Sequence, residues 1–179
     1  LIFKDDFEDG DLSGWRTDID LEIEGSAWGV ETEDDGHVLV GKGHCGAMAG
    51  DSDWIDYVFE FRVKLVEGVA FINFRFTPKP EAPDRYTLRL YRYHLTLLKG
   101  QTLPGEGHFT ELKRVNMELD SESWYDVIIV CIGDEIEVYV DGNPKLEYKD
   151  EDSPFLSGSI RLEPVAYEGD KPSLLYFDD

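Results

Sequence analysis

Alternation with a period of two runs through most of this sequence, and it constrains the fold more than any other feature. Tyr57-Val58-Phe59-Glu60-Phe61-Arg62-Val63-Lys64-Leu65 sends Tyr57, Phe59, Phe61, Val63 and Leu65 to one face and Glu60, Arg62 and Lys64 to the other. Successive side chains of a strand point to opposite faces, so this segment reads as a half-buried strand. Val69 to Phe76 repeats the pattern, with Ala70, Ile72, Phe74 and Phe76 inward and Asn73 and Arg75 outward. Arg85 to Tyr91 sets Tyr86, Leu88 and Leu90 against Thr87, Arg89 and Tyr91, and His94 to Lys99 comes next. Trp124 to Ile132 is apolar on both faces from Val127 onward, which marks a strand covered twice. Glu135 to Val140 and Lys145 to Tyr148 flank Asp141-Gly142-Asn143-Pro144, a hairpin signal. Ser159 to Glu163 and Leu174 to Phe177 are further strands. Leu21 to Glu24, Ala27 to Glu31 and His37 to Gly41 are shorter ones, broken by Gly25 and Asp35-Gly36.

About a dozen strands and no helix predict an all-β fold, a two-sheet antiparallel β-sandwich of jelly-roll type. Its core is expected to take Phe59, Phe61, Val63, Ile72, Phe74, Phe76, Leu88, Leu90, Ile129, Val138, Val140, Ile160 and Leu162. The 179 residues fit one domain, residues 1–179, with no linker or internal repeat. The chain opens at Leu1 and closes on Asp178-Asp179 directly after an apolar run, so a domain excised from a longer chain is expected.

Charge narrows the partners. Asp and Glu number 39 against 17 Lys and Arg, a formal net charge of −22. Nucleic-acid binding needs cations to replace counterions, and anionic membrane surfaces also attract basic segments, so neither partner is expected. A neutral or cationic partner suits the balance. No window has the apolar length of a membrane-spanning helix, and Lys4-Asp5-Asp6 argues against a signal peptide in this fragment. Two cysteines, Cys45 and Cys131, make no disulfide framework; two free thiols are the plainer reading, with pairing left open.

The signatures of catalysis are missing. There is no G-x-S-x-G elbow and no Cys/His cluster with zinc spacing. Neither Asp18-Ile19-Asp20-Leu21-Glu22-Ile23-Glu24 nor Asp134-Glu135-Ile136-Glu137 matches the E-x-D-x-x-E run of sandwich glucanases. Asp9-Gly10-Asp11-Leu12-Ser13-Gly14 has the alternating oxygens of a calcium loop, but Asp20 stands at its twelfth position and no helices flank it. Outward strand positions do carry planar polar groups suited to sugar hydroxyls: Asn73, Arg75, Arg89, Tyr91, Arg161 and Glu163. We therefore expect Asn73, Arg75, Arg89, Tyr91 and Glu163 to line one concave face, joined by His44 and Trp54 from loops. Trp54 either stacks on a sugar ring or caps the core.

Several ordered motifs carry a resemblance. Asp5-Asp6-Phe7-Glu8-Asp9-Gly10-Asp11-Leu12-Ser13-Gly14-Trp15, Trp28-Gly29-Val30 with Gly36-His37-Val38-Leu39, and Phe71-Ile72-Asn73-Phe74-Arg75 come first. Trp124-Tyr125-Asp126-Val127, Val138-Tyr139-Val140-Asp141-Gly142, Ser157 to Glu163 and Tyr176-Phe177-Asp178-Asp179 complete the set. Together they resemble the concanavalin-A-like lectin/glucanase (laminin-G-type) sandwiches. Within these, the chain looks most like exo-acting, fructan-type carbohydrate-binding modules and keto-disaccharide hydrolase-like domains. The resemblance makes Arg75 a ligand-facing arginine, sets Glu163 where the second group has Gln, and gives Glu60 the place of a strand carboxylate. Glu67-Gly68-Val69-Ala70 departs from the Asn-Ser-Gly that usually precedes the Arg strand. The resemblance also implies a structural calcium ion joining the terminal strands through Glu8, Asp178 and backbone carbonyls near Gly10, with Asp6 as a further candidate; solvated acids at the chain ends are the alternative.

Three functions are expected. The first is a non-catalytic module recognising a neutral glycan, an oligo- or polysaccharide, on the concave face of the sandwich, extracellular or at the cell surface, beside a catalytic domain of the same polypeptide. The second is a glycosidase-like enzyme using Glu60 and Glu163 as its acid/base pair. The third is a structural or adhesive cell-envelope domain.

Overall fold

A computed structural model describes residues 2–18, 24–33, 36–80, 82–103, 106–166 and 171–178. Their strands are β1 (Arg16–Asp18), β2 (Ala27–Glu33), β3 (Gly36–Gly43), β4 (Gly46–Ala49), β5 (Tyr57–Glu67), β6 (Val69–Thr77) and β7 (Asp84–Tyr91). The remainder are β8 (His94–Leu103), β9 (Glu106–Asn116), β10 (Tyr125–Ile132), β11 (Glu135–Val140), β12 (Asn143–Lys149), β13 (Ser159–Val165) and β14 (Ser173–Asp178). They form two seven-stranded antiparallel sheets, ordered β1-β4-β13-β6-β7-β8-β9 and β12-β11-β10-β5-β14-β3-β2. The expected sandwich is present. β1, β4 and β9 are not among the expected strands, because β9 is a polar edge strand and β1 and β4 are short. Of the expected strand Leu21 to Glu24, residues 21–23 lie outside the described ones.

The inner faces meet as the alternation requires. Ile72, Phe74, Leu88, Leu90, Leu95 and Leu97 from one sheet pack on Phe61, Val63, Ile129, Val138, Leu175 and Phe177 from the other. Burying each such side chain contributes about 1.5–3 kcal/mol. The β11–β12 hairpin turns through Asp141 and Gly142 at φ 51° and 70°. Positive φ at both central residues is what a two-residue turn needs to match strand twist.

One irregularity redirects the expected faces. Both ladders of β6 slip: Ser159 pairs Phe76 but Arg161 pairs Asn73, and Phe74 pairs Tyr86 but Thr77 pairs Asp84. An extra residue sits there, and Arg75 has φ 47°. A bulge of this kind reverses the faces of the residues beyond it. Phe76 therefore leaves the inward set: it lies on the outer side of its sheet, with the Arg161 and Arg85 guanidiniums 5.5 and 6.0 Å from its ring. Gly158, at φ 147°, leaves room for the bulge, since a Cβ there would run into the Arg75 and Phe76 backbone.

Candidate saccharide-binding cleft

The outer face of the β1-β4-β13-β6-β7-β8-β9 sheet holds a cleft of about 760 Å³. Cross-strand register sets out its floor in rows. Glu163, Phe71, Arg89, Thr96 and Arg114 lie side by side on β13, β6, β7, β8 and β9. The next row along the strands is Met48, Arg161, Asn73, Thr87, Leu98 and Glu111. Neighbouring strands stand ~4.8 Å apart, so Glu163 and Arg89 flank Phe71 on either side with roughly 10 Å between them. Arg85 and Phe109 face each other across Gly100, with the guanidinium 4.8 Å from the ring centroid. A side chain at Gly100 would press on both.

Arg161 organises one wall. It donates from Nη1 and Nη2 to the two Asp18 carboxylate oxygens at 2.7 and 2.9 Å, and from Nε to Glu163. Arg161 and Glu163 side chains are 8% and 7% exposed, while Asp18 is half open to solvent. Gly46 on β4 makes room for this head group, because a Cβ there would fall on the guanidinium. His44 closes the same end. Its Nδ1 is 3.1 Å from the Ala166 carbonyl, which can only accept. Nδ1 therefore carries the proton, and a neutral His44 ring keeps its lone pair on Nε2.

The structure brings Arg89, Glu163 and His44 together here and corrects several other expectations. Asn73 is beneath them but fully buried: its amide donates to the Arg161 carbonyl and accepts from the Thr87 hydroxyl, so it holds the floor. Arg75 does not face the cleft. The bulge turns it into the end of the sandwich, where it is fully buried and donates to the carbonyls of Gly133, Phe155 and Ile55. Trp54 caps the core instead of joining the concave face, packing on Tyr57 and Phe3 with centroids 6.0 and 6.4 Å away. Tyr91 shares the outward face of β7 but sits at its end, against Tyr93 and His94.

The Glu60–Glu163 acid/base pair is also corrected. Glu60 is on the outer side of β5 in one sheet, and Glu163 on the outer side of β13 in the other. The whole sandwich separates them, whereas glycosidic carboxyls stand within about 10 Å. The side chains expected to hold calcium each have a partner within the protein. Glu8 accepts from the His37 amide at 2.9 Å, Asp178 accepts from Arg62 at 3.0 Å, and Asp6 accepts from the Glu8 amide at 3.5 Å. Among the described residues no group of three or more His, Cys, Asp or Glu side chains converges.

Sequence reasoning left out Asp18, Phe71, Arg85, Phe109, Glu111 and Arg114. Arg85 was within reach, since it shares the parity of Arg89 on one strand. Phe109, Glu111 and Arg114 belong to β9, whose polar edge gives little alternation.

A family model of 3-keto-alpha-glucoside-1,2-lyase-like domains matches residues 3–168. No curated protein matches the sequence. Among solved structures, the carbohydrate binding module CBM66 from Bacillus subtilis is similar with a TM-score of 0.64 and 15% identity, over 93% of this chain and 92% of that one. A Bacteroides ovatus mixed linkage glucan GH16 protein in complex with its G4G4G3G product gives 0.73 and 9%, over 99% and 98%. Domain 4 of AbnA, a GH43 extracellular arabinanase from Geobacillus stearothermophilus in complex with arabinotriose, gives 0.63 and 15%, over 97% and 89%. At these identities the likeness is one of fold.

Proposed function

We propose, for a chain that belongs to the family of 3-keto-alpha-glucoside-1,2-lyase-like domains, that the cleft on the outer face of the β13-β6-β7 sheet binds a saccharide without cleaving it. One observation carries this reading. Aromatic rings and planar charged groups alternate on a rigid, concave surface: Phe71, Phe76 and Phe109 beside Arg89, Arg161 and Glu163. A sugar presents apolar C–H faces and a rim of hydroxyls, and such a mixture of rings and forked donors meets both. Two carboxylates of the cleft, Asp18 and Glu163, both accept from Arg161, so they serve a fixed network. The likeness to CBM66 and to the arabinotriose-bound domain is consistent with this reading. An extracellular setting beside a catalytic domain fits it too, as domain 4 of the arabinanase is one part of an extracellular enzyme.

A glycan array probed with the chain and with Phe109→Ala tests the proposal. Phe109 is 40% exposed, so its loss spares the core. Binding by the parent that the variant loses supports the site, and no binding to any glycan overturns it.

A second reading rests on His44. A 3-keto group acidifies the hydrogen at C2, and a 1,2-elimination takes that proton while the C1 substituent leaves. The Nε2 lone pair of His44 at the cleft edge is a base of the right kind. Incubation with a 3-keto-glucoside separates the two readings: release of the aglycone with an unsaturated 3-keto sugar, abolished by His44→Ala, establishes the lyase.

A further inference from the structure

The overall charge of the chain points to a neutral ligand, but the cleft has a different balance. Among the described residues five basic ones line it, Lys79, Arg85, Arg89, Arg114 and Arg161, against three acidic ones, Asp18, Glu111 and Glu163. In a chain with more than twice as many acids as bases, this is a local reversal of sign. Most of these cations are matched within the protein. Arg161 holds Asp18 and Glu163, Arg114 lies 2.5 Å from Glu111, and Lys79 meets Asp84 just outside the cleft.

Arg89 is different. It rises from the middle strand of the floor, next to the Phe71 ring. Its Nε is buried without a hydrogen-bond partner, and its Nη2 makes a long contact of 3.4 Å to Thr96 Oγ1. Among the described residues no carboxylate reaches it. A half-buried guanidinium with an unsatisfied Nε–H is costly unless something supplies an acceptor. Acids are abundant in this chain, so leaving this position unmatched keeps the fork available to a ligand. The group that best satisfies a guanidinium fork is a carboxylate, which takes two parallel N–H bonds.

We infer that the saccharide taken by this cleft is acidic, with a uronate residue whose carboxylate seats on Arg89 while its ring lies over Phe71. This rests on the saccharide reading above and names its ligand class. Low effective dielectric over the aromatic floor strengthens the pairing relative to water. The acidic remainder of the surface repels at longer range, and ~0.15 M salt screens that repulsion beyond about 8 Å.

The test uses trimers of galacturonate, mannuronate and guluronate, each as the free acid and as its methyl ester, titrated calorimetrically at ~0.15 M salt. Acid and ester differ in the charge of the carboxyl groups. The expected result is at least tenfold tighter binding of one acid trimer than of its ester. In Arg89→Gln that ratio falls to near one; Arg89→Lys keeps part of the preference because it keeps the charge but not the fork. Thermal melts confirm that both variants fold. Equal affinity for acid and ester in the parent, or a preference that survives Arg89→Gln, overturns the inference. If no uronate binds while a neutral glycan binds and is lost in Phe109→Ala, the uronate inference fails and the saccharide reading stands. If no sugar binds at all, both fail.

Discussion

Replacing Gly46 by alanine adds one methyl group at the point where the cleft wall is tightest. Gly46 has no left-handed backbone to protect, so the effect is steric. The new Cβ would stand 2.6 Å from Arg161 Nη1 and nearer still to Cζ and Nη2. Two responses are open. Strand β4 shifts outward, and overpacking of this sort costs about 1–3 kcal/mol. Alternatively Arg161 swings away and gives up its partners. Asp18 is 51% exposed, so losing that pair costs only about 0–1 kcal/mol after screening. Glu163 is 7% exposed and would keep a buried carboxylate without its donor, a cost of about 1–3 kcal/mol. Either route destabilises by roughly 2 kcal/mol, which for a chain of this size lowers Tm by about 4–8 °C. Sugar affinity falls at least tenfold where Arg161 swings away, since its forked donors leave the cleft wall. Gly29→Ala is the control: nothing lies within 4 Å of a Cβ there, and its stability changes by less than about 0.5 kcal/mol. Calorimetric melts and glycan titrations of both variants decide the matter. Gly46→Ala melting and binding like Gly29→Ala would refute the description of this wall.

Buried groups give further expectations. Burial pushes the Cys131 thiol up to about 12, so native protein at pH 8 should resist thiol reagents at Cys131, and labelling should appear only with unfolding. Asp150 sits against Lys99 at 2.6 Å and accepts from Tyr86; burial pushes its pKa up, but these hydrogen bonds outweigh that and hold it below the ordinary value. A depressed folded pKa stabilises above the unfolded value, about 3.9, and that stability is lost as pH falls through the folded one. The stability gap between parent and Asp150→Asn should therefore be widest at neutral pH and close below about pH 4, as read by urea unfolding. His94 is held below its usual pKa, first by burial and then by Arg114 and Arg89. Stability should rise with pH between its folded value and about 6.5, and NMR titration should show its pKa moving up in Arg89→Gln.

The sandwich was legible because it rests on a local rule repeated many times. From Tyr57 to Leu65 and from Arg85 to Tyr91 each residue's face is set by its neighbours. The same rule misplaced Arg75 and Phe76, because one inserted residue reverses the faces after it. No composition cue marks that bulge in Phe74-Arg75-Phe76; the glycine that accommodates it, Gly158, is far away in the sequence. The site was legible in part for a related reason. Arg89, Arg161 and Glu163 stand at outward positions of recognisable strands. Arg114, Glu111 and Phe109 depend on β9 lying beside β8, and Asp18 on a three-residue strand at the opposite edge. Which residues meet across a sheet depends on strand order, and strand order is not a local property. The Glu60–Glu163 pairing failed on that same ground, since two outward carboxylates can belong to opposite sheets.

The central claim is that a saccharide sits on the β13-β6-β7 face, and backbone and side-chain chemical-shift mapping tests it most directly. Isotope-labelled chain is titrated with the tightest-binding glycan from the array. The account predicts perturbations centred on Phe71, Arg89, Phe109, Arg161 and Glu163, with His44 at their edge, and none at Trp54 or Arg75. Perturbations centred on Val58, Glu60 and Ile128 of the opposite sheet, or on the Trp54 end of the sandwich, would contradict it.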